Sequence, residues 1–416
     1  MRVLIDARMD PGSEGGLEPL TIGLANGFGR LTAECADEFV FLTRSGASSF
    51  LRPFVGGRVS VLEEPSPPAP ARPTRVQSLK QALPWLAPLA RKLGLRQPGR
   101  QSLELLRLPE IAFASAFDVV HSLNPILPIA DPRPLVSTVY DFQHRHLPEL
   151  FSPEVVRWRE TVHPQHYRRA RRLVAISRFT AGELQQFHGV PAERVDVVYF
   201  GAPVAAYGTL AGTERAAVVK RWRLDEPFVL YPSLTYAHKN HLGLLEAVAG
   251  LRGQGRRVRV ICTGAQKLAW PQIEQRRREL GLEDDVIFTG FLPAAEMRVV
   301  FEHARGLVFP SRYEGLGLGL IEALNLGIPI ACSELPVFRE VAGEAAVFFD
   351  PAQPQAIARA IEAILDDAGL RERLTDAGRM QSRRFDWLDT ARGYLAAYRA
   401  AFAAGPMAEG QGKAES

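Results

Sequence analysis

The sequence predicts an α/β protein built from two doubly wound halves, each a parallel sheet flanked by helices. Three observations carry this. The chain has 416 residues, more than one hydrophobic core usually serves, and 46% of them are hydrophobic. Short apolar runs alternate with helical stretches, and the alternation occurs twice. Between the two series, Phe200 to Pro227 is less periodic and holds several glycines, which places a junction there.

In the first half the expected strands are Arg2–Ile5, Glu38–Leu42, Val59–Leu62, Val119–His121, Leu135–Tyr140, Leu173–Ile176 and Val195–Val198. In the second half they are Phe228–Tyr231, Val258–Thr263, Val286–Thr289, Gly306–Phe309, Ile328–Cys332 and Ala346–Phe349. The proline-rich run Pro65 to Pro73 suits neither a helix nor a central strand. Ser78 to Leu108 is rich in Leu and Arg. It reads as a surface helix with its leucines on the core, or as a basic amphipathic segment touching an anionic membrane or a lipid-linked acceptor. Arg168, Arg169, Arg171 and Arg172 close a helical stretch, where cations oppose the helix dipole. Thr180-x-x-Glu183 reads as a capping box. The domain plan is then 1–205, a linker 206–226, a second domain 227–385, a helix 386–402 and a disordered tail 403–416.

Charge and motifs exclude several classes. A net charge of +4 does not argue for a nucleic-acid partner. No apolar run reaches the roughly 18 residues of a membrane span, and Met1–Asp6 reads as a strand, not a signal peptide. Cys35, Cys262 and Cys332 lack metal-ligand spacing and suit a reducing cytoplasm. The chain has no Gly-x-Ser-x-Gly elbow, no Walker A lysine and no full dinucleotide fingerprint.

The chemistry concentrates at Glu314-Gly-Leu-Gly-Leu-Gly-Leu-Ile-Glu322, where seven residues separate two glutamates. An apolar strand leads in, and the helical stretch Leu318 to Leu326 ends at Gly327. A strand, a glycine turn and a helix N-terminus make a phosphate site, because backbone N–H groups approach closely and the helix end is positive. Carboxylates accept hydrogen bonds from sugar hydroxyls, so the pair points to a sugar nucleotide. Lys239, in the loop His238-Lys-Asn-His241 after a strand, is placed to set a positive charge on a diphosphate. In the first half, a strand delivers Tyr140 and Asp141 to its carboxyl end, with Gln143, His144 and His146 beyond. His121 ends another strand and is a further candidate, or simply structural. No Asp-x-Asp occurs, so a divalent metal is not required to hold the diphosphate.

The Glu-x7-Glu spacing and the His-Lys-Asn-His loop resemble the retaining glycosyltransferases of family 4, a resemblance that runs from the first strand to about residue 400. It implies the GT-B fold: two Rossmann-like domains facing across a cleft, with a C-terminal helix, here through Tyr394 and Tyr398, crossing back to the first. It further implies donor contacts from the loop at Gly15 and Gly16 and from Lys239, Gly315, Leu316, Gly317 and Leu318, with Glu314 toward the donor sugar and Glu322 toward the ribose. Thr263, Gly264, Phe291 and Leu292 would border the base. Asp141 and His144 would face sugar or acceptor. Two positions depart from the family pattern. Ser233 stands where many members carry an arginine, and Tyr140 where many carry a histidine. The implied reaction moves a hexose, mannose or rhamnose first, from a GDP-, UDP- or dTDP-sugar to a hydroxyl of a glycan or lipid-linked acceptor. No separate cofactor, metal or nucleic acid is implied. The location is cytoplasmic, with peripheral contact at the inner face of the membrane. A sugar-nucleotide epimerase, a trehalose- or sucrose-type synthase and a non-catalytic sugar-nucleotide-binding subunit are the alternatives.

Overall fold

The computed structural model describes residues 1–9, 16–65, 117–123 and 132–405. Gly15, the Leu/Arg-rich segment, the proline-rich run beyond Pro65 and the tail beyond Gly405 lie outside these residues.

Among the described residues, thirteen strands form two parallel sheets. The first contains β1 (Arg2–Asp6), β2 (Glu38–Thr43), β3 (Val59–Glu63), β4 (Val119–Ser122), β5 (Leu135–Val139), β6 (Arg172–Ala175) and β7 (Val195–Val197), in the order β3-β2-β1-β4-β5-β6-β7. The second contains β8 (Val229–Pro232), β9 (Val260–Thr263), β10 (Val286–Gly290), β11 (Gly306–Phe309), β12 (Ile330–Ser333) and β13 (Ala346–Phe349), in the order β10-β9-β8-β11-β12-β13. The strand ends differ from the sequence expectation by two residues at most. Central strands such as Val3-Leu4-Ile5 and Leu307-Val308 are fully buried, as both faces of a parallel sheet are covered. In each sheet the chain builds outward from the middle and then returns beside its starting strand. That reversal opens a crevice at the carboxyl ends of β1 and β4, and of β8 and β11.

Helices needed below are α1 (Leu17–Leu31), α2 (Pro153–Arg169), α3 (Arg178–His188), α4 (Gly212–Trp222), α5 (Leu318–Leu326), α6 (Pro336–Ala342) and α7 (Trp387–Ala403). The C-terminal helix α7 returns to the first domain and packs along α1. Asp386 caps it, accepting from Leu388 N at 2.8 Å. Gly23, Gly27 and Gly201 form the notch for Trp387; a Cβ at any of them would stand within 2.6 Å of that residue. The indole Nε1 donates to Ala202 O at 3.0 Å. Two to three turns further on, Tyr398 Oη shares a 2.8 Å hydrogen bond with His121 Nδ1, and Thr138 Oγ1 bridges His121 Nε2 (2.8 Å) and Tyr394 Oη (3.0 Å). Burial pushes His121 down to about 3, so its ring is neutral and serves this network.

Two expectations need correction. The stretch read as linker contains α4, which docks on the second domain through Arg215–Glu302 (2.7 Å) and Arg221–Glu296 (3.1 Å). Val218 is its sole buried residue, so its periodicity is faint in the sequence. The Thr180/Glu183 capping box is not formed. Ser177 is the cap, its Oγ accepting from Thr180 N at 3.0 Å. Glu183 turns away and accepts from Tyr313 Oη of the second domain at 2.6 Å, while also binding His146.

That contact belongs to a polar seam between the domains. Tyr313 Oη accepts from Phe142 N at 2.9 Å, and Gly315 O accepts from Ser177 Oγ at 2.7 Å. The carboxylate of Glu340 on α6 receives Arg178 N (2.6 Å), Phe179 N (2.9 Å) and Tyr199 Oη (2.8 Å). The N-terminus of α3 is thus capped from the opposite domain.

Candidate active site

The two crevices meet in one cavity of about 1130 Å³. Its second-domain wall is made of strand ends. After β8, Ser233 leads to a short turn, and Asn240 takes a left-handed conformation (φ 59°) to start the next helix. Two backbone contacts brace the turn: Tyr231 Oη donates to Lys239 O at 2.5 Å, and Arg312 N donates to His238 O at 2.8 Å. Lys239 Nζ therefore stands opposite the loop after β11, where it donates to Glu314 Oε1 at 2.5 Å. Ser311 Oγ donates to the same oxygen at 2.8 Å.

Helix α5 begins at Gly317, whose φ of 93° is open to glycine and strained for other residues. Gly315, Leu316, Gly317 and Leu318 line the cavity. Gly315 also packs directly against the first domain, since a Cβ there would lie 2.0 Å from Tyr140 O. One turn into α5, Glu322 is buried, and its only partner among the described residues is Tyr207. Its Oε1 has no hydrogen bond although it borders the cavity. Burial pushes this carboxyl up to about 7, the Tyr207 hydroxyl partly opposing the shift. The far end is closed by Thr263, Gly264, Leu292 and Phe291, the last 66% exposed.

The structure thus gathers Ser233, Lys239, Thr263, Gly264, Phe291, Leu292, Glu314, Gly315, Leu316, Gly317, Leu318 and Glu322 on one surface. The first-domain wall brings Gly16 against Leu318; a Cβ on Gly16 would sit 3.1 Å from Leu318 Cδ1. Asp141 also faces the cavity, its Oδ1 accepting from Gln143 N at 3.0 Å and standing 3.5 Å from Arg159 Nη1. Tyr140 lines it too, its hydroxyl tied to Leu123 O at 2.6 Å.

His144 does not line the cavity. Its ring is buried beneath α2, with Nε2 2.9 Å from Glu160 Oε1. The short helix Gln143–His146 turns it away from Asp141, and His163 occupies the cavity side instead. Trp158, Arg159, His163 and Tyr207 were not singled out from the sequence. They lie on surface helices or connections without a motif, and only the packing of α2 brings the first three to the cleft.

Known proteins resemble this chain in family and fold. The family profile described as "Glycosyltransferase Family 4" matches residues 46–205, and "Glycosyl transferases group 1" matches residues 213–381. The chain is 28% identical over 287 residues to "O-antigen chain mannosyltransferase B" of Escherichia coli, covering 68% of this chain and 74% of that protein. It is 27% identical to "Alpha-D-kanosaminyltransferase" of Streptomyces kanamyceticus over 58% of this chain and 64% of that one. Among solved structures, Anabaena HepE in complex with UDP and glucose superposes with a TM-score of 0.66 at 20% identity, over 95% of this chain and 98% of that chain. Sucrose-phosphate synthase from Thermosynechococcus elongatus gives 0.66 at 18%, over 97% and 100%. Both structures share the two-domain fold.

Proposed function

We propose that this chain, which belongs to the family 4 glycosyltransferases and has their GT-B fold, moves a hexose from a nucleoside-diphosphate sugar to an acceptor hydroxyl with retention of anomeric configuration. Mannose or rhamnose is the sugar we favour, because one relative is a mannosyltransferase of O-antigen assembly. A GDP-, UDP- or dTDP-sugar is the donor, and a glycan or lipid-linked glycan at the inner face of the membrane is the acceptor. Among the described residues no helix is long and apolar enough to cross a membrane.

The observation that carries this reading is the convergence of Lys239, the α5 N-terminus and two carboxyl groups on one cavity. The diphosphate lies on the backbone N–H groups of Gly315 to Leu318, and the Lys239 ammonium opposes its charge without a metal ion. Glu314 holds hydroxyls of the donor sugar. The unpartnered Oε1 of Glu322 accepts from the ribose. Phe291 and Leu292 border the base, and Asp141 faces the transferred sugar from the other wall. The bond from the anomeric carbon to the phosphate oxygen breaks as the acceptor oxygen bonds that carbon. A donor phosphate oxygen takes the acceptor proton, so the protein supplies position and charge, not a base.

Calorimetry with GDP-, UDP- and dTDP-sugars tests the site. One donor should bind wild type and lose affinity in both Lys239→Ala and Glu322→Ala. Unchanged affinity in both would overturn the assignment. An NMR assignment of the product anomer tests retention.

A further inference from the structure

The first-domain wall carries a second feature. Trp158, Arg159 and His163 all project from α2 into the cavity, beside Asp141 at the end of β5. The Trp158 and His163 rings stand edge to face, with centroids 6.0 Å apart. Trp158 is 37% exposed, so a flat apolar surface is open to the cleft. Phe50 and Phe54, from the turns between β2 and β3, line the same cavity. The Nδ1 of His163 is buried with no hydrogen-bond partner.

We propose that α2 presents a subsite for a sugar ring: the C–H face of an acceptor pyranose stacks on Trp158, and its hydroxyls reach Asp141, Arg159 and His163 Nδ1. This rests on the glycosyl-transfer reading and narrows its acceptor to a glycosyl group seated ring-first. The chemistry of the wall favours a sugar over an alkyl chain. A pyranose has an apolar C–H face that suits the negative face of an indole, and a rim of hydroxyls. An alkyl chain would cover the indole but would leave the His163 nitrogen without a partner and shut water away from the Asp141–Arg159 pair, which costs free energy. That pair is loose, at 3.5 Å, and Arg159 retains N–H groups beyond the one facing Asp141. Burial holds the His163 imidazole neutral, with a pKa pushed down to about 3, so Nδ1 meets a hydroxyl as donor or acceptor according to its tautomer. His163 positions the acceptor; it is not a base in this scheme.

Saturation-transfer NMR on the whole chain, with methyl α-glycosides of mannose, rhamnose, glucose, galactose and N-acetylglucosamine and with 1-octanol as the alkyl probe, tests this. Calorimetry with GDP, UDP and dTDP runs alongside. Transfer to at least one glycoside is expected, with a dissociation constant raised about tenfold by Trp158→Ala and largely restored by Trp158→Phe. His163→Ala should weaken the same glycoside several-fold. Nucleotide affinity should stay within about twofold in each variant, because these residues lie across the cleft. Absence of transfer to all five glycosides, a glycoside affinity indifferent to Trp158, or stronger transfer to 1-octanol would each overturn the proposal. Failure of all three nucleotides to bind would count instead against the glycosyl-transfer reading.

Discussion

The two walls of the cleft are built differently. The second-domain wall consists of backbone: strand ends, a glycine turn and a helix N-terminus, with Lys239 and Glu314 braced between adjacent loops. The first-domain wall consists mainly of side chains, from α1, α2 and the turns after β2, with Asp141 at a strand end and the backbone of Gly16 and Tyr140 close against the other wall. A diphosphate is common to GDP-, UDP- and dTDP-sugars and is recognised by N–H groups, which any sequence with the right turn supplies. Acceptors vary, and variable recognition falls to exposed side chains on a fixed scaffold.

The largest effect should follow Lys239→Ala. Removing a preorganised charge from the leaving diphosphate typically costs about 10²–10³-fold in turnover. Steady-state rates with the donor identified by calorimetry check this. A loss confined to the acceptor KM would place Lys239 on the wrong wall.

Glu322 gives a pH signature of the donor wall. Its carboxyl titrates near 7 in the folded chain against 4.5 as reference. Between those values the folded state holds a proton that the unfolded state has lost, so stability falls as pH rises through the window. Above it, the penalty amounts to about 3 kcal/mol. Glu322→Gln should remove that slope and unfold at higher temperature than wild type at pH 8, with little difference at pH 4. Parallel melting curves across pH would refute the buried titration. If ribose hydroxyls donate to this group, they favour its ionised form. Donor binding near pH 6 should then release a proton, seen as heats that vary with the buffer's ionisation enthalpy.

Legibility in the sequence follows the same division. All thirteen strands could be read because buried parallel strands are short apolar runs. The second-domain wall could be read because the residues that line it sit in short runs, Glu314 to Glu322 and the loop holding Lys239. Residue order could not show that His144 turns under α2 while His163 reaches the cleft. That depends on how a surface helix is rotated, and α2 is too polar for its apolar face to settle the rotation. Glu183 was misread for a related reason. Its spacing from Thr180 fits a cap, but Tyr313 offers it a stronger buried partner from a residue far along the chain.

Gly315 is where the walls touch. A Cβ there would meet Tyr140 O at 2.0 Å and Tyr140 C at 3.1 Å, and neither backbone atom can rotate aside. Gly315→Ala should cost about 1–3 kcal/mol, as overpacking does. Thermal unfolding measures it. Retained donor binding together with slowed transfer would show that the strain falls on the seam and spares the phosphate turn.

The smallest effect should come from Glu340, which lies outside the cavity and holds the walls together through the α3 N-terminus. Glu340→Gln keeps an acceptor oxygen but loses the negative charge beside a helix dipole, a change of about 1 kcal/mol. The proposed diphosphate and ribose contacts, Lys239, Gly315 to Leu318 and Glu322, all belong to the second domain, so donor affinity should change little. Transfer should slow several-fold, because among the described residues the seam and α7 position the first-domain wall against the second. Calorimetry and steady-state kinetics on the same variant separate the two quantities. A parallel fall in donor affinity would mean that the nucleotide itself bridges the domains, and that the two walls act as one binding surface.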